Sequence, residues 1–459
     1  MFKWSEDTQI YKQALMLAVP MMIHMGITNA VGLVDNLMIG SLGTESITAV
    51  SMALQLIFVY NLAVFGALSG PGIYGAQYFG QKNKEGFWNV FRLKFWICFL
   101  VLFIGTAIYY FFGSEFIKLY LHGADSGIDK NVTFNLSFDY LKIMLLGLFP
   151  FTITQVYSGS LRETGESIKP MIAGVVSVFV DIIFNYFLIF GKFGFPCLGV
   201  KGAALATVLA RVVETLIVVI WTYSSKIKIE YITEALKSLK IPLDKAKEIV
   251  LKGIPLFFNE FLWAAGFTVT FQCYSLKGLD VIAALNIASV LENLVIVIII
   301  SMGNSVGILM GQMLGASKFE EAKVNSSRLT RFTATLGIIV ALFVIMISSY
   351  FPGFYNTTDS IKELAKNFII VNALFLPVVG IVNSLYFTLR SGGKTLITFF
   401  FDSVFTWILE VPIAFALCKY TELPITTIFI IVYSLNFIKL LIGQILIKKG
   451  VWISNLASE

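Results

Sequence analysis

Acidic and amide side chains lie within apolar stretches of this sequence, where they could bind a cation or carry a proton. Asp35 stands in the segment GLVDNLM, and Ser177, Asp181 and Asn185 follow one another at intervals of four. That spacing places the last three on one face of a helix. A charge inside lipid is costly, so such groups face protein, a cavity or an ion pathway. Two simpler interpretations stay open: span 1 ends before Asp35, which is then merely interfacial, or Asp181 simply hydrogen-bonds to a neighbouring helix.

A second group of acids lies further along the chain. Glu260 stands in the segment FFNEFLW, and Asp402, Thr406 and Glu410 are again spaced by four. The last three lie broadly on one helical face, where they could act together. Alternatively, Asp402 lies near the inner surface and Glu410 alone is deep in its helix.

The segments that carry these residues are predicted to cross a membrane. Of the 459 residues, 57% are hydrophobic and 14% charged, and the mean hydropathy is +0.82. A soluble domain needs about a quarter of its residues charged. Apolar runs such as 333–351 and 425–447 approach or exceed the ~20 residues that cross a hydrocarbon core of ~30 Å. They lack the alternation of barrel strands, so the predicted fold class is an all-α polytopic membrane protein.

About twelve transmembrane helices are predicted, and the basic residues near their ends set their orientation. The connections on one side of the membrane hold 23 of the 34 Lys and Arg residues, and those on the other side hold 8. The remaining three, Lys142, Arg211 and Lys439, lie within spans. Both termini fall on the basic side and are predicted to be cytoplasmic, in a plasma or inner cell membrane. This asymmetry accounts for the net charge of +6, so no nucleic-acid partner is expected. The spans lie at roughly 12–38, 48–76, 90–113, 136–160, 169–191, 199–224, 248–275, 280–310, 328–350, 364–388, 395–418 and 424–447.

The chain also repeats itself. GIYGAQYFGQKNKE at 72–85 and GILMGQMLGASKFE at 307–320 share glycines, an isoleucine, a glutamine and a glutamate at a constant separation of 235 residues. Pro20 and Pro255 have the same separation. Each copy holds six spans, so both copies enter the membrane from the same side. Such parallel repeats are related by an axis along the membrane normal, with the substrate path expected between the halves.

The repeat predicts the domain organisation. We expect an N-terminal six-helix bundle at 1–224, a cytoplasmic linker at 225–247 that forms a surface helix, and a C-terminal six-helix bundle at 248–459. Duplicated six-helix halves are an architecture of transporters, whereas a receptor or an anchor has no evident need of them. We therefore expect transport by alternating access.

Five segments in order resemble the multidrug and toxic compound extrusion (MATE) family over the whole chain. They are VPMMIHMGITNAVGLVDNLMIGSLG, GIYGAQYFGQKN, LRETGESIKP, GVKGAALATVLAR and IPLFFNEFLW. The resemblance implies two six-helix bundles around a central cleft. It also implies export of organic cations and other xenobiotics in exchange for sodium or protons.

The resemblance implies a cation site in the N-terminal bundle at Asp35, Asp181, Asn185 and Thr207. Compared with the family pattern, the Asn and Asp of span 5 are exchanged: Asp181 stands at the Asn position and Asn185 at the Asp position. The total charge is unchanged. Two neighbouring carboxylates repel one another, which favours uptake of a proton. The same oxygens would also suit Na⁺, so the sequence leaves the coupling ion open.

In the C-terminal bundle, the resemblance implies a cation or substrate contact at Asn259 and Glu260. Some family members carry a partner acid in span 10, which this chain lacks in NALFLPVVGIVNSLYF. Asp402 and Glu410 in span 11 are candidate replacements. We also expect span 1 to bend at or above Pro20 during the transport cycle.

The expected function is thus secondary antiport of organic cations for Na⁺ or H⁺, without a cofactor and as a monomer in the lipid bilayer. No phosphate-binding loop suggests an ATP-driven pump, and no nucleophile–base set suggests an enzyme. Two alternatives remain. A flippase for a lipid-linked precursor would want basic residues in its cleft, whereas the mid-span acids here outnumber the bases. A non-transporting membrane receptor would bind a ligand without flux.

Overall fold

The fold is entirely helical in the part of the chain that the structure describes. This computed structural model describes residues 8–121, 129–224 and 230–458, and it holds twelve helices there that are long and apolar enough to cross a membrane. The predicted fold class and the number of spans are confirmed. The helices are α1 Gln9–Gly40, α2 Thr44–Gly80, α3 Lys84–Leu121, α4 Lys130–Glu163, α5 Ile168–Phe190, α6 Val200–Ser224, α7 Leu243–Ser275, α8 Leu279–Gly315, α9 Phe319–Ile347, α10 Asp359–Ser391, α11 Thr395–Tyr420 and α12 Ile425–Lys448.

Several helices extend beyond their apolar spans because local hydrogen bonds continue past the lipid-facing residues. The side chain of Asp129 accepts bonds from the backbone N–H groups of Asn131 and Val132 at the start of α4, and Thr358 caps α10 in the same way at Ile361. Such caps satisfy the N–H groups that a helix start leaves without a partner. These first turns are polar, so a hydropathy profile does not assign them to the helix.

Helix α11 is not a regular α-helix throughout. Two consecutive segments, Phe400–Val404 and Thr406–Glu410, are π-helical. Their hydrogen bonds run from residue i to i+5, so the helix is locally wider than an α-helix, and such segments occur often at functional sites. The candidate residues Asp402, Thr406 and Glu410 lie within them. They still lie near one another, since Thr406 donates to Glu410 within the same helix.

The linker between the repeats is not the single surface helix predicted for 225–247. Residues 225–229 lie outside the described part of the chain, and a helical turn at Glu230–Thr233 and a 3₁₀ turn at Ala235–Lys237 precede α7. Arg92 of α3 holds this segment, since its Nε donates to the Ala235 carbonyl at 2.6 Å and its Nη1 to the Lys240 carbonyl at 3.1 Å. The carbonyl groups of this segment thus accept hydrogen bonds from the Arg92 side chain. In a longer helix they would accept them from backbone N–H groups.

The chain forms two compact units. The N-terminal unit comprises Ile23–Gly75 and the described residues of Lys84–Glu248; the C-terminal unit comprises the described residues up to Met22, Ala76–Asn83 and the described residues from Ile249 on. Helix α1 therefore contributes to both units, and the boundary between the units falls two residues after Pro20. The predicted bundles at 1–224 and 248–459 follow the sequence repeat, and that division stays a prediction.

The start of α1 belongs to the C-terminal unit because its apolar face is buried there. Ile10, Ala14 and Leu17 are in one cluster with Met310 of α8 and with Trp452. The backbone contributes as well, since the Ser305 hydroxyl donates to the Ala14 carbonyl at 2.9 Å. Burial of this face stabilises the start of α1 on the C-terminal helices.

The repeated glycine segments of α2 and α8 pack directly against one another inside the C-terminal unit. A Cβ added at Gly80 would overlap the backbone of Gln312, and one added at Gly315 would overlap the backbone of Gln77. Each repeat thus places its last helical glycine against the glutamine of the other copy. Small residues allow this approach where lipid provides no hydrophobic drive between helices. The duplication in the sequence corresponds to a reciprocal contact in the fold.

Alanine at Gly80 or Gly315 is expected to destabilise the protein by about 1–3 kcal/mol, because the added methyl group meets backbone that cannot rotate away. The matched control is Gly159→Ala in α4, where a Cβ has nothing within 4 Å. That change should be neutral or stabilising by up to about 1 kcal/mol. Unfolding titrations in mixed detergent micelles compare the three variants, and equal stability of Gly80→Ala and Gly159→Ala would contradict the close contact.

Candidate functional site

Asp35 and Asn185 meet in the N-terminal unit. Helix α1 continues to Gly40 and therefore includes Asp35; the alternative that the membrane span ends before Asp35 stays a prediction. Asn185 Nδ2 donates to Asp35 Oδ1 at 2.9 Å. An amide thus holds the α1 carboxyl group against α5, and 150 residues of sequence separate the two partners.

Asp181 and Thr207 complete the group that the sequence predicted. The carboxyl groups of Asp35 and Asp181 are close enough to interact electrostatically, and Thr207 lies near Asp181. Asp181 is 9% exposed and Asn185 is 2% exposed. Ser177, the third member of the polar face of α5, donates instead to the Gly174 carbonyl of its own helix at 2.8 Å. The structure therefore brings Asp35, Asp181, Asn185 and Thr207 together. Ser177 is not part of this group, because its hydroxyl bonds to the backbone of its own helix.

Two acceptor oxygens at this group have no hydrogen-bond partner in the described structure. They are Oδ1 of Asp181 and Oδ1 of Asn185, and both are buried. A buried oxygen without a donor costs free energy unless a cation or a proton satisfies it. Within the described residues, no cluster of three or more His, Cys, Asp or Glu could hold a metal ion, so a cation here would depend on amide and hydroxyl oxygens as well as the two carboxyl groups. That donor set fits a weakly bound monovalent ion better than zinc.

Further polar residues surround this group within the N-terminal unit. Tyr140 of α4 is buried near Thr207. Arg211 of α6 donates to the Gly147 carbonyl at 3.3 Å and lies 5.0 Å from the ring centre of Phe151. Arg211 also interacts electrostatically with Glu214, as their spacing along α6 predicts, and Glu214 lies 3.9 Å from His24 Nε2 of α1.

In the C-terminal unit, Asn259 is the centre of a hydrogen-bond network. Its Nδ2 donates to the Tyr386 hydroxyl at 3.2 Å and to Asp402 Oδ2 at 3.1 Å. The Ser403 hydroxyl lies 2.7 Å from Asn259 Oδ1 and 3.0 Å from its backbone carbonyl. The π-helical turn of α11 presents Asp402 and Ser403 to α7 together. Asn259 therefore fixes the position of Asp402.

Lys439 of α12 links the two acids of span 11. Its Nζ lies 3.4 Å from Asp402 Oδ1 and 3.3 Å from Glu410 Oε1. Thr406 donates to Glu410 Oε2 at 3.0 Å. One buried ammonium therefore lies near both carboxylates, and the alternative that Asp402 lies near the inner surface while Glu410 alone is deep stays a prediction.

Glu260 has a cationic partner too. Arg390 Nη1 lies 3.8 Å from Glu260 Oε1, and both side chains are less than one quarter exposed. Arg390 is the kind of residue that anchors a helix end at the membrane surface, yet here it points at a candidate site residue. Glu260, Asp402 and Glu410 thus each lie within 4 Å of a positively charged side chain.

Ser403→Ala is expected to lower the free energy of unfolding by about 1–3 kcal/mol, because it leaves Asn259 Oδ1 buried without a donor. The control is Ser434→Ala in α12, whose hydroxyl bonds only to the Ile430 carbonyl of its own helix. Unfolding titrations of both variants provide the measurement. A Ser403→Ala protein as stable as the control would show that the Asn259 network is not held in this way.

Three comparisons relate this chain to known proteins. The family model described as MatE matches it twice, over residues 20–187 and 255–416. The two matches begin 235 residues apart, which is the separation of the glycine segments in α2 and α8.

Curated relatives match along nearly their whole length. The chain is 26% identical over 424 residues to a probable multidrug resistance protein NorM of Thermotoga maritima, covering 91% of this chain and 88% of that protein. It is 24% identical over 418 residues to the multidrug resistance protein MdtK of Yersinia enterocolitica, covering 88% and 87%.

Solved structures share the fold. An outward-facing MATE family transporter matches with a TM-score of 0.83 at 20% identity, covering 98% of this chain and 99% of that one. The Vibrio cholerae MATE transporter VcmN in its bent form matches with a TM-score of 0.84 at 17% identity, covering 96% and 97%. At these identities the likeness concerns the fold alone.

Proposed function

The chain belongs to the MatE family, and from that premise we propose that it is a secondary antiporter that exports organic cations in exchange for Na⁺ or H⁺. It is a multi-pass membrane transporter, not an enzyme. We place both termini in the cytoplasm, the protein in the cell membrane, and the working unit as a monomer without a cofactor. The relatives named as multidrug resistance proteins support xenobiotics as the cargo.

The single observation that carries the proposal is the contact between two carboxyl groups in a buried site. The carboxyl groups of Asp35 and Asp181 interact electrostatically, and the Oδ1 atoms of Asp181 and Asn185 are buried without a donor in the described structure. Two ionised carboxylates at this distance repel one another strongly away from water. One positive charge, a proton or Na⁺, removes that repulsion and satisfies the oxygens.

Such a site can couple two fluxes because its occupancy changes its charge. With an ion bound, the pair carries one negative charge fewer and attracts an organic cation less strongly. With the ion released, the pair regains that charge and the attraction returns. Exchange follows when the two ligands compete for the same carboxylates in turn.

Helix α1 provides a place where the protein can respond to this charge. Pro20 lacks the N–H that would bond to the preceding turn, which weakens the helix locally. Asp35 lies on the same helix, and α1 passes from one compact unit to the other just after Pro20. We propose that ion binding at Asp35 is linked to bending of α1 at or above Pro20.

The test is efflux of a fluorescent quaternary ammonium dye from proteoliposomes that contain the purified full chain. A proton gradient and a sodium gradient are imposed separately, and dissipation of each gradient by an ionophore is the control. We expect dye efflux that depends on one gradient or the other. Absence of efflux under both gradients would overturn the proposal.

A further inference from the structure

Two of the cysteines lie where a covalent bond could join two helices of the C-terminal unit. Cys273 is in the last turn of α7 and Cys418 is in the last turn of α11, and both are free thiols in the structure. Each is 5% exposed, and both belong to one cluster of buried residues. Their thiol groups also interact electrostatically. A disulfide further requires that α7 and α11 present these residues to one another.

Helices α7 and α11 pack in a constant register. Three hydrogen bonds join the two helices or the residues just beyond their ends, and the partners in each are 144 or 145 residues apart in the sequence. They join Asn259 to Ser403, Leu262 to Trp407, and Lys277 to Thr421. Cys273 and Cys418 are also 145 residues apart. Since the register holds on both sides of them, the two cysteines lie at the same level.

Cys273 lies on the face of α7 that contacts α11. Leu262, Gly266 and Cys273 follow one another at intervals of four and seven residues, which keeps them on one helical face. The Leu262 carbonyl accepts from the indole of α11 at 2.8 Å. A Cβ added at Gly266 would lie 2.7 Å from Thr406 Cγ2. The two helices are therefore close along the face that ends at Cys273.

Cys418 lies on the buried face of α11. The helix is regular from Val411 to Tyr420, after the π-helical segments. Ala414 is 0% exposed and lies one turn before Cys418 in the same buried cluster, so the two share a helical face. A disulfide needs Cα atoms within about 7 Å of one another. Small residues such as Ala414 and Gly266 at the contact allow helices to approach closely.

We propose that Cys273 and Cys418 form a reversible disulfide between α7 and α11 when the protein meets a disulfide oxidant such as oxidised glutathione. One cysteine thiolate attacks the oxidant and releases one thiol, and the other cysteine displaces the second thiol from the mixed disulfide. Two electrons thus pass to the oxidant, and the two cysteine protons end on the released thiols. Because helix ends fray, a small oxidant can reach residues in a last turn.

The position of the pair favours oxidation on one side of the membrane. Both helices begin on the side of the termini and end on the opposite side, since an even number of spans precedes each of them. On the topology proposed above, Cys273 and Cys418 then lie near the outer face, where disulfides persist better than in the cytoplasm. The inference rests on the proposed function only for this placement.

The other two cysteines serve as internal controls. Cys98 is buried in α3 of the N-terminal unit, and Cys197 is exposed in the connection between α5 and α6. Cys197→Ser removes the exposed thiol through which two copies of the chain could become cross-linked. Cys98 stays in place as a buried thiol that the proposal expects to remain reduced.

The test is peptide mapping of the purified full-length Cys197→Ser protein in detergent. The folded protein is treated with oxidised glutathione, its remaining thiols are blocked with N-ethylmaleimide during denaturation, and it is digested and analysed by mass spectrometry without a reductant. We expect the peptides of Cys273 and Cys418 to be joined, with Cys98 blocked as a free thiol. Dithiothreitol should separate the joined peptides. Cys273→Ser in the same background should give no joined peptides.

Recovery of Cys273 and Cys418 as blocked free thiols after oxidation would overturn the inference, as would pairing of either one with Cys98. The same result follows if the two are joined only between copies of the chain, or as often in protein denatured before oxidation. If Cys197→Ser does not give monodisperse protein, mapping of the unsubstituted chain decides, because it identifies every cysteine. Dye efflux plays no part, so failure of the proposed function and failure of this inference are distinguishable.

Discussion

Asp181→Asn is expected to reduce gradient-driven dye efflux to the level of protein-free liposomes while the protein stays folded. The change keeps the size of the side chain but removes one of the two carboxylates that meet in the buried site. Without the second carboxylate, ion release no longer restores the charge that attracts the cargo. The measurement is dye efflux from proteoliposomes under whichever gradient drives the wild type.

A control variant and a charge-restoring double variant accompany this prediction. Asp139→Asn removes a carboxylate from α4 that forms a solvent-exposed pair with Lys201 at 3.0 Å, and it should leave efflux unchanged because such pairs contribute little. The double variant Asp181→Asn/Asn185→Asp restores the total charge one helical turn away, in the order that the family resemblance implies. We expect it to recover part of the efflux. Full efflux in Asp181→Asn alone would remove this residue from the coupling site.

Lys94→Met is expected to destabilise the protein by about 3–5 kcal/mol, because it leaves the Glu163 carboxylate buried without its cation. Lys94 Nζ lies 2.6 Å and 2.5 Å from the two Glu163 oxygens and donates to Ser160 Oγ at 2.9 Å. The Lys94 side chain is 1% exposed and that of Glu163 is 8% exposed. Unfolding titration in mixed detergent micelles provides the measurement.

The space for this ion pair comes from the first glycine repeat. A Cβ at Gly75 would overlap the Glu163 carboxylate, and one at Gly72 would lie 3.2 Å from its Oε1. The double variant Lys94→Met/Glu163→Gln removes both charges and should recover most of the lost stability. Lys118→Met is the control, since Lys118 forms an exposed pair with Glu115 on its own helix. If Lys94→Met were as stable as this control, the buried pair would not hold α3 and α4 together.

The number of helices could be predicted from the sequence because each span must carry about 20 apolar residues. The helix ends could not, since α4 begins at a polar cap formed by Asp129 and the linker is held by Arg92 from another helix. The same spacing argument succeeded for Asp181 and Asn185, which lie on a regular helix. In α11 the spacing grouped Asp402, Thr406 and Glu410, but it did not predict the two π-helical segments that carry them or the lysine that lies near both acids.

The partners of the C-terminal acids could not be predicted because they are distant in the sequence. Lys439 lies 37 residues from Asp402, and Arg390 lies on a different helix from Glu260. A single lysine or arginine in an apolar segment signals that a partner exists, but it does not say which helix provides it. Tyr140, Tyr386 and Ser403 carry no such signal, since uncharged polar residues are common in transmembrane helices.

The most direct test of antiport is to ask whether a gradient of the cargo alone moves the coupling ion in the opposite direction. Proteoliposomes are loaded with a quaternary ammonium ion, with no ion gradient imposed, and entry of protons or of radioactive sodium is followed as the cargo leaves. The account predicts ion entry that requires the cargo gradient and is lost in Asp181→Asn. Cargo that leaves without moving either ion would contradict antiport.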